Sequence, residues 1–236
     1  MQKNNIKYRT ELKYICFETE LKLIENRIRY LVSRDSHIKQ SGAYTVRSVY
    51  FDDFYNSCYY QVQDGVDNRR KYRIRIYNCD RSYVMLEEKN KHWGKSYKDS
   101  CRLTIDQCEM LLNNKPVSLS HDCPSVLKRL CAAMHTQMMH PCIVVDYQRT
   151  PFIYHLGNIR VTFDRYISTS SHVERFFDRT LPLRPIMQNG QHILEVKFDE
   201  FLVDYVHHTL QLDYLQQTAF SKYYLCRKYA IGDRPL

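Results

Sequence analysis

The chain has 236 residues and a formal charge of +9, and its 44% hydrophobic and 26% charged residues are typical of one large globular domain or two small ones. The 6 glycines argue against glycine-rich nucleotide loops, and 9 cysteines without a C-x-x-C pair argue against a zinc site or a disulfide framework. The positive charge favours a polyanionic partner: nucleic acid, anionic lipid or a phosphorylated small molecule.

Two periodicities divide most of the chain into predicted elements. Alternation of apolar and polar residues predicts strands, and apolar residues at three- and four-residue intervals predict helices. The predicted strands are at 8–14, 44–53, 69–77, 82–91, 95–103, 141–149, 152–168 (with a hairpin turn at 156–158) and 193–198. The predicted helices are at 18–34, 54–63, 104–113, 124–138 and 204–213, with another from 218 onward. The stretch 170–190 has no regular pattern.

The strand at 69–77 carries the clearest functional signal. A period of two places Arg73 and Arg75 on one face and Tyr72, Ile74 and Ile76 on the other. Neighbouring guanidinium groups repel each other, whereas an anion between them would turn repulsion into attraction. An isolated pair of this kind is more often a solvent-exposed strand face. The functional interpretation therefore depends on whether other strands repeat the pattern.

Several other predicted strands do repeat it. The in-phase basic residues are Arg9, Lys13, Lys89, Lys98, Arg102, Arg149 and Arg160, joined by the acidic residues Glu11, Glu87 and Glu195. Apolar residues occupy the opposite faces, which predicts an α+β fold: a closed antiparallel β tunnel barrel of about eight strands, with helices packed on the outside. Cations lining an empty lumen would repel one another. A chain of phosphates with a divalent metal would neutralise them.

No feature of the sequence marks a domain boundary. The chain has no internal repeat, no low-complexity tract and no linker rich in Gly, Ser or Pro. We therefore expect residues 1–236 to form one domain with a helical insert at about 104–138. The N-terminus lacks the apolar segment of a signal peptide, and no apolar run reaches membrane-spanning length. These features predict a cytoplasmic protein without a span of its own, and they leave a membrane partner and the oligomeric state open.

Seven short motifs follow one another along the chain. They are Arg9-x-Glu11-x-Lys13-Tyr14, Tyr72-Arg73-x-Arg75-x-Tyr77, Glu87-x-Lys89, Tyr147-x-Arg149, Arg160-Val161-Thr162-x-Asp164, Glu195-x-Lys197 and Ser221-Lys222-Tyr223. In this order they resemble the catalytic VTC (vacuolar transporter chaperone) domain, a branch of the triphosphate tunnel metalloenzyme (CYTH-like) superfamily. The likeness extends from about residue 8 to 229. Where the wider superfamily often begins with E-x-E-x-K, this chain has Arg9 in place of the first Glu, which removes one potential metal ligand.

The resemblance implies a polyphosphate polymerase that transfers the terminal phosphate of ATP to a polyphosphate chain inside the tunnel, with Mn²⁺ or Mg²⁺ as cofactor. The implied phosphate ligands are Lys13, Arg73, Arg75, Lys89, Lys98, Arg149, Arg160 and Lys222, all of them but Lys98 also implied to be catalytic. The implied metal ligand is Glu195, with Glu11 as a second candidate. Residue types of this kind can support phosphoryl transfer by positioning and charge neutralisation, without a nucleophilic side chain.

Three alternatives stay open at the level of sequence. Glu11 and Glu87 could serve as salt-bridge partners that orient the cations, a role as well supported as metal binding for Glu11. The same tunnel could hydrolyse tripolyphosphate or nucleoside triphosphates, or it could belong to a non-catalytic module that binds polyphosphate or inositol phosphates. Nucleic acid ranks below these ligands, and we expect no nucleic-acid partner, because the tyrosines alternate onto the face opposite the cations.

Overall fold

The computed structural model describes residues 9–30, 33–34 and 42–231, which form an antiparallel sheet with helices against it. The strands are β1 (Thr10–Phe17), β2 (Ser33–Arg34), β3 (Tyr44–Asp52), β4 (Arg69–Tyr77), β5 (Val84–His92), β6 (Lys95–Leu103), β7 (His140–Tyr154), β8 (Ile159–Ser170), β9 (Arg184–Pro185) and β10 (Gln191–Phe198). The helices are α1 (Glu18–Ile28), α2 (Ser57–Gln63), α3 (Ile105–Leu112), α4 (Ser125–Thr136), α5 (Asp204–Leu210) and α6 (Lys222–Ile231).

Eight of these strands form one curled sheet in the order β1-β10-β8-β7-β3-β4-β5-β6, while β2 pairs with β7 and β9 with β8. The sheet has the shape of a half-barrel, and its two edge strands approach each other at a bridge between Arg9 and Ser96. The Arg9 N–H donates to the Ser96 carbonyl at 3.1 Å, and the Ser96 N–H donates back at 3.3 Å. The predicted α+β fold, an antiparallel tunnel barrel of about eight strands with helices on the outside, is confirmed, and the eight strands form it as a curled half-barrel whose edges meet at this bridge.

The strand register brings the charged side chains of neighbouring strands side by side on the concave face. The paired positions are Arg73 with Glu87, Lys89 with Lys98, Lys13 with Glu195, and Arg149 with Asp164. Because side chains alternate between the two faces of a strand, the apolar residues between these positions point to the convex face. Ile74 and Ile76, which lie in the same strand as Arg73, are completely buried there.

Helices cover the convex face and bury two apolar clusters. One cluster packs α3, α4 and α6 against β3, β4, β5 and β7, and it includes Ile74, Leu86 and Leu130. The other packs α1 and α5 against β1, β8 and β10, and it includes Leu21 and Val196. Burial of these side chains provides the main driving force for the fold and leaves the polar faces to converge on the inside. Among the helices of the described residues, none is long and apolar enough to cross a membrane.

Several predicted element boundaries differ from the structure. The first helix ends at Ile28 rather than near 34, the second begins at Ser57 rather than 54, and the last begins at Lys222 rather than 218. The irregular stretch 170–190 contains a short 3-10 turn and β9, and it is anchored by the buried ring of Phe176. Helices α3 and α4 occupy the predicted insert, whereas the organisation of 1–236 as one domain stays a prediction.

Candidate functional site

A cavity of about 500 Å³ lies on the concave face of the sheet. Its wall comprises parts of β1, β3, β4, β5, β6, β7 and β10 together with the segment that leads into α6. Within the described chain, ten basic side chains line it: Lys13, Arg69, Lys71, Arg73, Arg75, Lys89, Lys91, Arg149, Lys197 and Lys222. Two acidic side chains, Glu11 and Glu195, also line it, which leaves a formal excess of eight positive charges among the lining side chains. Such a space attracts polyanions strongly.

On one side of the cavity, the buried carboxylate of Glu87 holds two arginines. Its Oε2 atom lies 2.6 Å from Arg73 Nε and 3.5 Å from Arg75 Nη1, while Oε1 accepts a 2.7 Å bond from Lys98. Burial alone would raise the pKa of Glu87, but Arg73 and Arg75 outweigh it and hold that pKa well below its usual range. The Tyr50 hydroxyl accepts a further bond from Arg73 at 2.9 Å. Glu87 therefore stays ionised and fixes the orientation of both guanidinium groups.

On the opposite side, the Asp164 carboxylate orients Arg149 and Lys222 in the same way, through ion pairs. The Arg149 guanidinium donates two bonds to the Asp164 carboxylate at 2.6 and 2.7 Å, and Lys222 Nζ lies 2.6 Å from Oδ2. Asp164 is completely buried. Burial would raise its pKa, but the charges of Arg149 and Lys222 lower it instead. A two-bond fork of this kind is among the strongest and most directional ion pairs in proteins.

The position of Lys222 depends on a long-range contact at the start of α6. The Tyr223 hydroxyl donates to the buried carboxylate of Asp52. That carboxylate also accepts the backbone N–H groups of Cys58 at 2.8 Å and Tyr59 at 3.2 Å in the first turn of α2. Asp52 thus fastens two helices to the end of β3. Because Lys222 precedes Tyr223, this anchor places the Lys222 side chain over the concave face.

Glu11 and Glu195 lie among three lysines on the β1–β10 side of the cavity. Lys197 Nζ lies 3.7 Å from Glu11 and 3.4 Å from Glu195, and Lys13 Nζ lies 4.0 and 3.9 Å from the same two carboxylates. Both oxygens of Glu11 accept bonds from Lys89 at 2.7 Å. Burial would raise the pKa of each carboxylate, but the surrounding ammonium groups hold both values well below the usual range. Both are therefore anionic at neutral pH.

These two carboxylates are the candidate ligands for a divalent metal ion in the cavity. No group of three or more His, Cys, Asp or Glu residues is placed to bind a metal within the described ranges 9–30, 33–34 and 42–231. Mg²⁺ is usually held by one or two carboxylates together with substrate phosphates and water. Glu195 and Glu11 fit that mode, because both are ionised and both lie on the wall of the cation-rich cavity.

Most predicted site residues come together in the cavity, but two do not. Lys98 faces the concave side opposite Lys89, yet its side chain is 48% exposed and its ion pair is with the buried Glu87. Arg160 donates to the Tyr44 hydroxyl at 3.4 Å. Neither side chain belongs to the described lining of the cavity. Their phosphate-binding roles stay predictions, with less geometric support than those of the other six basic residues.

Lys71 is the main lining residue that sequence reasoning overlooked. It lies in phase with Arg73 on β4, so the same alternation could have identified it. Its ammonium group lies 3.5 Å from the Ser221 hydroxyl oxygen and 4.9 Å from the centre of the Tyr223 ring. Burial, with a smaller contribution from Arg69, lowers the pKa of Lys71 to about 7. Lys197, quoted in a motif without a role, also lines the cavity, as do Arg69 and Lys91.

Comparison with known proteins agrees with this geometry. The family model described as the VTC domain matches residues 8–231. The crystal structure of a "putative adenylate cyclase" from Bacillus halodurans is 12% identical, with a TM-score of 0.53 over 91% of this chain and 94% of the other. A protein from Pyrococcus horikoshii is 11% identical, with a TM-score of 0.48 over 94% and 99%. At such identity the first likeness shows the fold alone. A search of curated proteins finds no significant match.

Proposed function

This chain belongs to the VTC domain family within the triphosphate tunnel (CYTH-like) superfamily, and from that premise we propose that it is a metal-dependent polyphosphate polymerase. In this reaction the terminal phosphate of ATP is transferred to the end of a polyphosphate chain held in the cavity. The proposed substrates are therefore ATP and inorganic polyphosphate or triphosphate, with Mn²⁺ or Mg²⁺ as the cofactor. We propose no nucleic-acid partner.

The observation that carries the proposal is the arrangement of cations around one enclosed cavity. Glu87 holds Arg73 and Arg75, and Asp164 holds Arg149 and Lys222. Phosphoryl transfer needs in-line positioning of the phosphates and neutralisation of their equatorial oxygens. Donors that are already oriented supply this without reorganisation during the reaction. The paired carboxylates offset the repulsion between the cations. They occupy only some of the five N–H donors of each arginine, so the other donors can bind phosphate oxygens.

The lysines and the acidic residues take complementary roles in this proposal. Lys13, Lys89 and Lys222 neutralise the bound phosphates, and Glu195, with Glu11, would hold the divalent ion. When bound, the metal supplies charge neutralisation and helps to align the transferred phosphoryl group. Since no nucleophilic side chain is required, an oxygen of the terminal phosphate of the growing chain attacks the terminal phosphorus of ATP. The bond between that phosphorus and the oxygen bridging to the next phosphate breaks, and ADP leaves.

A polymerisation assay distinguishes this proposal from hydrolysis. The purified protein is incubated with ATP and Mn²⁺, and with Mg²⁺ in parallel, and the products are separated on a gel that resolves long anionic polymers. We expect polymer that increases with time and disappears in Glu195→Gln. Release of orthophosphate without polymer would overturn the polymerase proposal in favour of a tripolyphosphate or nucleoside triphosphate hydrolase.

The same assay also tests a non-catalytic role. A module that only binds polyphosphate or inositol phosphates would bind tripolyphosphate tightly and in a salt-dependent manner, because the attraction is electrostatic. It would show no turnover with either metal, and its binding would survive Glu195→Gln. Two ionised carboxylates on the cavity wall, Glu11 and Glu195, favour the enzyme over this module, because a divalent metal needs carboxylate ligands whereas binding of an anion alone does not.

A further inference from the structure

The one tryptophan of the sequence lies in a hairpin at the mouth of the cavity, next to the exposed lining residue Gly94. Trp93 forms the tip of the hairpin between β5 and β6, and the residue is 82% exposed. The residue that follows it, Gly94, lines the cavity, as does Lys91 two residues before it. A large aromatic surface in water is costly. Its position beside a polyanion-binding cavity points to a ligand that carries a flat ring.

The hairpin holds Trp93 in an unusual conformation. Its φ angle is 50° and that of Gly94 is 72°, which is the pattern of a tight hairpin turn with both central residues in the left-handed region. Asn, Asp or Gly is preferred at the first of these positions, and a bulky residue there is strained. Local hydrogen bonds make this strain tolerable. Both oxygens of Asp67 accept the Gly94 N–H, at 3.0 and 3.1 Å, and Asp67 also lies 3.4 Å from Lys91 Nζ.

The spacing along β5 fits a nucleotide. Lys89 lies on the cavity wall beside Glu11, and β5 ends three residues later at His92, about 10 Å along the strand at ~3.3 Å per residue. Lys91 lies on the same face of β5 as Lys89, and Trp93 follows in the hairpin turn. A nucleoside triphosphate with its terminal phosphates near Lys89 would therefore extend its base toward the mouth. Apart from an edge contact with His92, at 5.8 Å between ring centroids, most of the Trp93 surface is open.

We infer that Trp93 stacks on the base of the nucleoside triphosphate donor and so distinguishes it from inorganic polyphosphate. This inference deepens the proposed function and depends on it. Polyphosphate has no aromatic ring, so Trp93 adds affinity only for the nucleotide. An aromatic side chain accepts any base by stacking, because every base has a π face. Lys91 and Arg69, which line the same end of the cavity, would contact the phosphates nearest the ribose.

The single tryptophan makes the inference directly testable by fluorescence. ATP is expected to quench and shift the emission of Trp93, whereas inorganic tripolyphosphate at equal saturation is not. Trp93→Ala is expected to weaken ATP binding by roughly fivefold to 150-fold, the range for loss of one base–aromatic stack, and to leave tripolyphosphate affinity within about twofold. Trp93→Phe, which keeps a smaller ring, is expected to fall between the two.

Two results would overturn the inference and leave the proposed function intact. One is an equal fluorescence response to both ligands, which would mean that Trp93 senses phosphate. The other is a Trp93→Ala variant that binds ATP as the wild type does, or that loses both ligands equally, which would mean that the hairpin only shapes the mouth. Failure of the wild-type protein to bind tripolyphosphate at all would instead remove the proposed function, and this inference with it. Because Trp93 is exposed, circular dichroism should show both variants folded.

Discussion

Two regions of the cavity hold their cations in different ways. In what we call the paired wall, formed by Arg149, Asp164, Glu195 and Lys222, each cation contacts a buried carboxylate. Lys71, by contrast, contacts the Ser221 hydroxyl and the Tyr223 ring. The pKa of Lys222 is affected by burial, which lowers it, and by Asp164 and Glu195, which raise it above its usual value. Burial without such a partner lowers the pKa of Lys71 to about 7.

This difference indicates that the two groups of cations have different roles in the site. The paired wall keeps its geometry without a ligand, because its charges compensate one another. Lys71 contacts no carboxylate within the described residues, so the charged form of its side chain is stabilised only when an anion binds. The paired wall thus orients phosphate oxygens with a fixed geometry, whereas Lys71 becomes charged when phosphate binds. The experiments on Asp164 and Lys71 below test the two sides of that contrast, and those on Arg73 and Lys98 test which cations of the Glu87 group bind phosphate.

The largest effect is expected for loss of the central carboxylate of the paired wall. Asp164→Asn keeps the shape of the side chain but leaves Arg149 and Lys222 without their common partner. Removing one member of a buried ion pair typically costs about 3–5 kcal/mol. We expect a loss of this size in the free energy of unfolding, measured by urea denaturation. Added tripolyphosphate should recover part of it, since the anion can replace the missing charge.

A surface pair provides the matched control for this experiment. Arg81 and Glu109 also form an ion pair, but about half of each side chain is exposed. Glu109→Gln should cost no more than about 1 kcal/mol, and tripolyphosphate should not affect that cost. If Asp164→Asn proves as mild as Glu109→Gln, the paired wall does not depend on compensated charge, and the contrast drawn above is wrong.

The next largest effect is expected on ligand affinity. Arg73→Gln removes a guanidinium that lines the cavity, while Arg75 and Lys98 remain to compensate Glu87. One charge-assisted hydrogen bond contributes about 1.5–3 kcal/mol, so tripolyphosphate affinity should fall roughly 10- to 150-fold in isothermal titration.

Lys98→Ala is the matched comparison for Arg73→Gln. Both residues contact Glu87, but Lys98 lies outside the described cavity lining and is half exposed. Its loss should weaken tripolyphosphate binding by less than about fivefold, the range of an exposed ion pair. An effect as large as that of Arg73→Gln would place Lys98 on the phosphate path, as the motif resemblance implies, and would extend the site beyond the cavity.

The smallest effect concerns protons at Lys71. Since the pKa of Lys71 is about 7 in the free protein, the side chain is mostly neutral at about pH 8. A bound polyanion favours the charged form, so binding should take up nearly one proton through Lys71, and affinity should fall as pH rises above 7. Titration calorimetry in buffers of different ionisation enthalpy measures this uptake. In Lys71→Met it should decrease by almost one proton, and an unchanged value would contradict the account.

The same pKa also predicts how stability changes with pH. Because the folded pKa of Lys71 lies below the value of about 10.4 for an unfolded lysine, the unfolded chain binds more protons between these two values. The Lys71 contribution to the free energy of unfolding therefore increases as pH rises from about 7 to about 10 in the absence of ligand. Lys71→Met should flatten that increase.

Sequence alternation predicted which way side chains face, but not where along the tunnel they lie. It placed Arg73, Arg75 and Lys89 correctly on the concave face, because the period of two depends only on local backbone geometry. It grouped Lys98 and Arg160 with them, since both are in phase on their strands. Their distance from the cavity depends on strand length, curl and register, which are set by pairing across the whole sheet.

Long-range contacts explain what the sequence could not reveal. The hydrogen bond between Tyr223 and Asp52 joins residues 171 positions apart, and no local sequence pattern predicts it. The conformation of the stretch 170–190 also depends on a long-range contact. Arg47 of β3 donates to the carbonyl oxygens of Phe176 and Asp178. The assignment of Lys71, by contrast, required only that the alternation be extended by one step along β4.

A crystal structure of the protein with inorganic tripolyphosphate and Mn²⁺ would test the central claim most directly. The account predicts phosphate oxygens at about 3 Å from the nitrogen donors of Arg73, Arg149 and Lys222, with the metal between Glu195 and the phosphates. Tripolyphosphate bound on the convex surface, with the cavity empty and binding in solution intact, would contradict it.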